Sequence, residues 1–240
     1  MTNIFGNLNN DGLEATKDFL GGFAPLETDV YDMIIKLAYA GKSSSSDAQS
    51  VTLHLLGADG KEYREDIWIT NKNNENFYVK DNKKIPLPGF VTIDELCLLS
   101  SGQPLNQQTT EEKIVPLYDF EAQKDLPKAV YVITSILNLP VKVAIEKVLE
   151  NKQKKDANGV YQDSDETRLV NSIQKVFHAD NKKTVNEYRE GKEAIFMDEW
   201  LKKYQGQTRD KTTKKGGGKA VRPEPSTGAG GRASTSLFNK

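Results

Sequence analysis

Segments in which apolar and polar residues alternate are the feature of this sequence that most limits its fold. From Val30 to Tyr39, the side chains of Tyr31, Met33, Ile35, Leu37 and Tyr39 fall on one face of an extended chain. This period of two predicts a strand with one buried face. We expect further strands at Val51–Leu56, Tyr63–Thr70, Phe77–Lys80, Lys84–Leu87, Lys113–Leu117, Ala129–Thr134, Val141–Lys152 and Thr167–His178.

Turn and helix signals separate these segments. Asp59-Gly60 indicates a hairpin between the second and third strands, because glycine supplies the positive φ of a tight turn. A helix is expected from Thr92 to Gly102, with Thr92 and Glu95 as a capping box, and a second capping box at Thr184 and Glu187. A last amphipathic helix is expected at 194–204. The chain is therefore predicted to be mainly β with added helices, as an OB-like, partly open β-barrel core, although a sandwich also fits this pattern.

The end of the chain differs from the rest in composition and charge. Residues 206–240 hold eight basic and two acidic residues, a net charge of +6, while residues 1–205 carry −7. This glycine-rich end has too few apolar residues to offset the entropy of ordering it, so we expect a flexible tail. Leu237 and Phe238 near its end indicate a docking tip for a partner protein. The predicted organisation is an irregular arm over 1–25, an OB-like domain with helical additions over 26–205 and the tail over 206–240.

Composition and motifs argue against several classes of protein. No apolar run approaches the roughly 20 residues that span a membrane, and no secretory signal is visible. The single cysteine, Cys97, excludes an internal disulfide, and His54 and His178 are too few for a histidine-rich metal site. Gly41-Lys42-Ser43 lacks the first glycine of a phosphate-binding loop, and no catalytic motif is present. We therefore expect a cytoplasmic protein with no enzymatic activity, no metal, no membrane partner and no small-molecule cofactor.

One region combines aromatic and basic residues in a way that predicts nucleic-acid binding. Trp68 shares a strand face with polar residues, and a flat aromatic ring beside cations is what base stacking with phosphate neutralisation requires. The predicted stacking residues are Trp68, Phe77, Tyr78 and Tyr63; the predicted phosphate ligands are Lys61, Arg64, Lys72, Lys80, Lys83 and Lys84. The structural alternative is a Trp68 that the N-terminal arm or a helix covers. In the tail, Lys211, Lys214, Lys215 and Lys219 are predicted to contact DNA.

Short blocks along nearly the whole chain carry a family resemblance. These are Asn3–Asn7, Ile69–Lys72, Glu75–Tyr78, Pro86–Phe90, Asp94–Leu98, Thr110–Lys113, Lys175–His178 and Ser236–Phe238. In this order they resemble the single-stranded DNA-binding proteins of virulent short-tailed bacteriophages of the Schitoviridae type. The resemblance implies a protein of DNA replication and recombination in the host cell cytoplasm. It also implies an OB-like core and a mobile tail that contacts other replication proteins.

The basic tail departs from a common pattern among single-stranded DNA-binding proteins, in which an acidic tail competes with DNA. We therefore expect this tail to hold DNA, while Leu237 and Phe238 hold a replication protein or an RNA or DNA polymerase. The alternative hypothesis is a phage regulatory or scaffold protein that binds a polymerase or other replication protein. In that case only the basic tail would contact DNA.

Overall fold

The described part of the chain forms a mainly β structure with three α-helices. A computed structural model describes residues 25–119, 121–156 and 161–213. The ten strands are β1 (Asp29–Lys42), β2 (Gln49–Gly57), β3 (Glu62–Trp68), β4 (Phe77–Lys80), β5 (Lys83–Pro86), β6 (Thr110–Asp119), β7 (Lys124–Ile133), β8 (Pro140–Lys155), β9 (Tyr161–Phe177) and β10 (Thr208–Asp210). The helices are α1 (Pro88–Ser101), α2 (Val185–Arg189) and α3 (Phe196–Tyr204). The predicted fold class is confirmed.

Strands β1, β2 and β3 form an antiparallel meander, and one bulge changes which side chains of β1 reach the core. The register between β1 and β2 shifts between Ile35 and Leu37. An inserted residue reverses the alternation beyond it. Met33 and Ile35 are buried as expected, but the next core residue is Ala38. The prediction that Leu37 and Tyr39 continue the face of Met33 was therefore wrong.

Helix α1 begins earlier than its sequence signals predicted. Pro88 stands at its first turn, where a missing N–H costs nothing, and Gly102 ends it with a φ of 80°. Thr92 lies inside the helix, where its Oγ1 donates to the Pro88 carbonyl at 3.1 Å, so the predicted capping box at Thr92 and Glu95 was wrong. The second predicted capping box is confirmed: Thr184 and Glu187 form it at the start of α2.

The sheet continues from the other edge of β1 into two long hairpins. β8 pairs antiparallel with β1 from Asp29 to Ile34 and with β9 along its other edge. β10 then pairs in parallel with β8 at residues 147–149. β7 meets β1 at the pair Tyr39 and Val132, and β6 pairs only with β7. The strands of both hairpins are longer than predicted.

The main sheet is open, and its two edge strands face each other across a seam. Five strands lie in the order β3, β2, β1, β8, β9, and within the described residues β3 and β9 share no backbone ladder. The carboxylate of Glu65 on β3 instead accepts a hydrogen bond from the Ile173 N–H of β9 at 2.9 Å. Helix α1 packs against both strands, and its Ile93, Leu96 and Cys97 belong to the same buried cluster as Ile173. This arrangement is OB-like and partly open.

The tail begins later than the composition predicted. Residues 206–213 lie against the sheet: β10 pairs with β8, and Thr213 N–H donates to Asn151 Oδ1 at 2.7 Å. The boundary at residue 206 was therefore wrong, because a segment without apolar side chains can be ordered by hydrogen bonds to an existing sheet. Residues 1–24 of the predicted arm over 1–25, and the tail from residue 214, lie outside the described residues. In the part of the chain that is described, no helix is long and apolar enough to cross a bilayer.

Candidate nucleic-acid interface

Trp68 is presented to solvent at the end of β3. Ile67 points into the core with 7% exposure, so the next side chain, Trp68, points outward and is 50% exposed. Its backbone is fixed on both sides. It pairs with Ser50 of β2, and a Cβ on Gly89 would come within 2.1 Å of the Trp68 carbonyl oxygen, so only glycine fits there. An exposed indole on a rigid backbone can stack on a base with little loss of conformational entropy.

The hairpin of β4 and β5 projects beside Trp68 and carries most of the predicted cations. Its turn is built by Asp81 and Asn82, whose φ values of 50° and 58° suit the tight two-residue turns of hairpins. Residues 68–86 hold four lysines and two acidic residues, a net charge of +2 in a chain of net charge −1. The hairpin is thus locally basic.

The two predicted stacking residues of this hairpin lie on opposite faces. Phe77 pairs with Pro86 and shares its face with Lys84, whose Nζ lies 4.2 Å from the centroid of the Phe77 ring. Tyr78 pairs with Ile85 on the other face, together with the neighbouring pair Lys80 and Lys83. Tyr78 is 44% exposed. Each face therefore offers one aromatic ring and at least one lysine.

A hydrogen-bonded loop joins this hairpin to Trp68 and to the loop between β1 and β2. Asn71 Oδ1 accepts from the N–H groups of Asn73 and Glu75 at 2.9 and 3.0 Å, and its Nδ2 donates to the Glu75 carboxylate at 3.0 Å. The Lys72 carbonyl accepts from the Asp47 N–H at 3.3 Å. Trp68, the exposed Lys72 and the hairpin thus belong to one continuous surface, which we call the tryptophan surface (residues 68–86).

Two of the predicted site residues, Tyr63 and Lys61, lie away from this surface. Tyr63 is 4% exposed in the core, and its OH donates to Glu65 at 2.6 Å, so the prediction that it stacks on a base was wrong. Lys61 lies at the opposite end of β3, about 23 Å along the strand from Trp68. There it forms an ion pair with Asp59 at 3.1 Å. Alternation along β3 already separates the odd-numbered Tyr63 from Trp68.

Arg64 shares the outward face of β3 with Trp68 but is engaged elsewhere. It donates to the Tyr39 OH at 3.2 Å and lies 3.9 Å from the Asp66 carboxylate. Tyr39 packs in turn against His54, with ring centroids 6.0 Å apart. Burial and the Arg64 charge both lower the pKa of His54. Its Nε2 is buried without a hydrogen-bond partner.

A second aromatic and basic site was missed in the sequence. At the outer end of the β8–β9 hairpin, Tyr161 is 61% exposed, and Lys155 Nζ lies 5.2 Å from its ring centroid. Nearby, Lys152 pairs with Glu166 at 3.3 Å. The signal available in the sequence was the lysine-rich run 152–155 just before the Asn158-Gly159 dipeptide. In OB-folds, the loop between the last two strands is one of the two that contact oligonucleotides.

Of the tail residues predicted to contact DNA, only Lys211 lies within the described residues. Its N–H donates to the Leu149 carbonyl at 2.9 Å, so its backbone is part of the sheet edge, while its side chain is exposed. Lys214, Lys215, Lys219, Leu237 and Phe238 lie outside the described residues.

The remaining ionisable groups do not assemble a metal site. Within residues 25–119, 121–156 and 161–213, no group of three or more histidine, cysteine or acidic side chains is placed to hold a metal ion. Cys97 is buried in α1, and burial raises the pKa of its thiol.

Comparisons with known proteins do not identify a family for this chain. No protein-family model matches the chain, and no curated protein is significantly similar to it.

Proposed function

We propose that this chain is a non-enzymatic single-stranded DNA-binding protein of a bacteriophage. In this proposal it coats and protects single strands during DNA replication and recombination in the host cell cytoplasm. The observation that carries the proposal is the half-exposed Trp68 on a rigid strand end, beside a basic hairpin. The OB-like strand order and the resemblance of the sequence blocks support it.

The proposed mechanism combines stacking with phosphate neutralisation. An unpaired base stacks on the exposed indole of Trp68, which is worth about 1–3 kcal/mol per base. A second base that stacks on Phe77 displaces the Lys84 ammonium from the ring, and that ammonium then pairs with a phosphate. Lys72 supplies a further cation in the loop beside Trp68, and Lys80 and Lys83 supply two more on the opposite face of the hairpin, with Tyr78. Every base has a π-face, so little sequence preference is expected, and paired bases in a duplex cannot stack in this way.

Substitution of Trp68 tests this proposal directly. We expect Trp68→Ala to weaken binding of a labelled oligothymidine by about 5- to 150-fold, which corresponds to the loss of one stacked base. Fluorescence anisotropy of the oligonucleotide measures this affinity. In the parent protein, quenching of intrinsic fluorescence by the oligonucleotide reports Trp68, because the other tryptophan, Trp200, is 6% exposed and out of reach of a base.

The matched control is Phe196→Ala. Phe196 is 41% exposed at the start of α3, so this variant removes an exposed aromatic ring outside both the tryptophan surface and the β6–β7 hairpin. We expect this variant to bind as the parent does. If Trp68→Ala and Phe196→Ala bind equally well, the stacking site is refuted.

A second candidate function is favoured by a different observation. The β6–β7 hairpin exposes Ile114, Tyr118 and Tyr131, with 76%, 46% and 58% of their surface accessible. Exposed apolar patches of this kind typically mark protein-binding surfaces. They support the alternative of a regulatory or scaffold protein that binds a polymerase or other replication protein and contacts DNA only through its basic tail. Replacement of the tail cations by Gln, compared with Trp68→Ala, distinguishes the two.

A further inference from the structure

The β6–β7 hairpin is anchored at its base by the buried Val132 and Ile133, but within the described residues its outer part pairs with no other strand. Each of its strands has ten residues, and its ladder to the rest of the sheet is the single pair Tyr39 and Val132. A two-stranded hairpin is marginally stable in water unless a further element packs against it. A hairpin of this length therefore indicates a face that another segment covers.

Register places two tyrosines and two prolines on one face of this hairpin. The Thr134 N–H donates to the Thr109 carbonyl at 3.0 Å, so these two residues form a hydrogen-bonded pair. Hydrogen-bonded and non-hydrogen-bonded pairs alternate along an antiparallel ladder, which places Pro116 and Pro127 in a non-hydrogen-bonded pair. The same alternation defines the tyrosine face, which consists of Ile114, Pro116, Tyr118, Pro127, Ala129 and Tyr131. Pro116 also removes one donor from the free edge of β6, which disfavours the addition of another strand there. A partner therefore has to bind the face.

The charges beside the tyrosine face are all negative. Glu112 lies opposite Tyr131, and Asp125 lies opposite Tyr118. The lysines of the hairpin alternate onto the other face, where Lys113 pairs with Glu111 at 3.2 Å and Lys128 with Asp119 at 2.9 Å. An apolar surface with acidic ends repels phosphates and suits a cationic peptide with large apolar side chains.

We propose that the tyrosine face binds the C-terminal end of the same chain, with Leu237 and Phe238 as the apolar anchors. Residues 214–240 contain six basic residues and one acidic residue, and Arg232 and Lys240 flank the Leu-Phe pair. These cations complement Glu112 and Asp125. This inference does not depend on whether the chain binds DNA.

The length of the segment and its attachment favour the chain's own end over that of a second copy. Thr213 is fixed to Asn151 on β8, the strand that neighbours β1. From there, 24 residues lead to Leu237, enough to span up to about 80 Å. Tethering of this kind supplies a local concentration of about millimolar for short linkers. A second copy would have to bind without that advantage.

Paramagnetic relaxation in the full-length chain tests the proposal. A nitroxide is attached at Asn239→Cys, where it is the only reactive thiol because Cys97 is fully buried. We expect selective broadening of the amide signals of Ile114, Ala129 and Tyr131, with no broadening of Tyr78 and Val79 on the β4–β5 hairpin. Chemical shifts of the unlabelled chain, with and without Leu237→Ser and Phe238→Ser, give a second measurement that the label cannot disturb.

Paired variants decide the outcome. Ile114→Ser with Tyr131→Ser is expected to abolish the broadening, and so is Glu112→Lys with Asp125→Lys. Val79→Ser is the matched control: it removes an apolar side chain that is 63% exposed on the other hairpin and should leave the broadening intact. Uniform broadening, or broadening centred elsewhere, overturns the proposal. A mixture of spin-labelled chains without isotope label and isotope-labelled chains without spin label tests for a second copy. If the broadening appears only in this mixture, the proposal is overturned, because the occupant is then a second copy.

Discussion

At the scale of single residues, exposure of Trp68 could be predicted because its face follows from alternation along one short strand. The burial of the His54 side-chain nitrogen Nε2 could not be predicted. The structure buries this atom, without a hydrogen-bond partner, beside Tyr39 and the paired Arg64. The burial depends on Tyr39, which the bulge in β1 turns away from the core face, and a bulge leaves no distinct pattern in the sequence. A buried polar atom without a partner costs about 1–3 kcal/mol.

We therefore predict that His54→Phe stabilises the protein by about 1 kcal/mol, because it keeps an aromatic ring and removes the unsatisfied nitrogen. Urea denaturation at pH 7.5 measures the change. His178→Phe is the matched control, since His178 Nδ1 accepts from the N–H of Asp180 at 3.2 Å and of Asn181 at 3.4 Å. That variant should be destabilised. A loss of stability in His54→Phe would contradict the assignment of an unsatisfied Nε2.

At the scale of secondary-structure elements, most strands and helices could be predicted, but their ends could not. The outer parts of the long hairpins are stabilised by cross-strand ion pairs, such as Lys128 with Asp119, and such pairs leave no apolar alternation. Helix α1 starts at a proline, and the Thr92 signal lay inside it. The link between β3 and β9 could not be predicted either, because it depends on one carboxylate. Glu65 accepts from the Tyr63 OH at 2.6 Å and from the Ile173 N–H at 2.9 Å.

The pH dependence of unfolding should report this link. Burial raises the pKa of Glu65 above its ordinary value, although its hydrogen bonds oppose the shift. Between the pKa of Glu65 in the unfolded chain and the raised pKa in the folded one, the folded state binds more protons. Stability therefore falls as pH rises through this window. We predict that Glu65→Gln, which can still accept from Ile173, removes this part of the slope in urea denaturation series from pH 4 to 8.

Two further variants separate ionisation from hydrogen bonding at Glu65. Glu65→Ala should cost about 1–3 kcal/mol at every pH, because it leaves the Ile173 N–H and the Tyr63 OH without their acceptor. Glu62→Gln on the same strand is the control for charge alone, since Glu62 is exposed at the strand start. If Glu65→Gln keeps the full pH dependence of the parent's free energy of unfolding, a group other than Glu65 causes that dependence.

At the scale of the whole molecule, charge is divided between regions, and this division was readable from the sequence. The sequence did not show where these charges lie in the structure. The tryptophan surface carries a net charge of +2, whereas the charged residues beside the tyrosine face, Glu112 and Asp125, are both acidic. If both proposals hold, separation of a basic aromatic surface from an acidic apolar one would allow DNA and a peptide to bind the same molecule at once. Lysines of the tryptophan surface and those after residue 213 would then contribute separately to DNA binding.

Salt dependence should resolve these two contributions and decide between the two candidate functions. Each phosphate contact with a single strand adds about 0.7 to the slope of log affinity against log salt concentration. Replacement of Lys214, Lys215, Lys219 and Arg222 by Gln in the full-length chain should therefore lower the slope by up to about 2.8. Quenching of Trp68 by oligothymidine should persist at low salt, because stacking needs none of these four residues. Replacement of Lys83 and Lys84 by Gln should reduce both the slope and the quenching, whereas Lys202→Gln on α3 should change neither. If the four tail substitutions abolish all binding while Trp68→Ala has no effect, DNA contact comes from the tail alone, and the protein-binding alternative replaces the stacking mechanism.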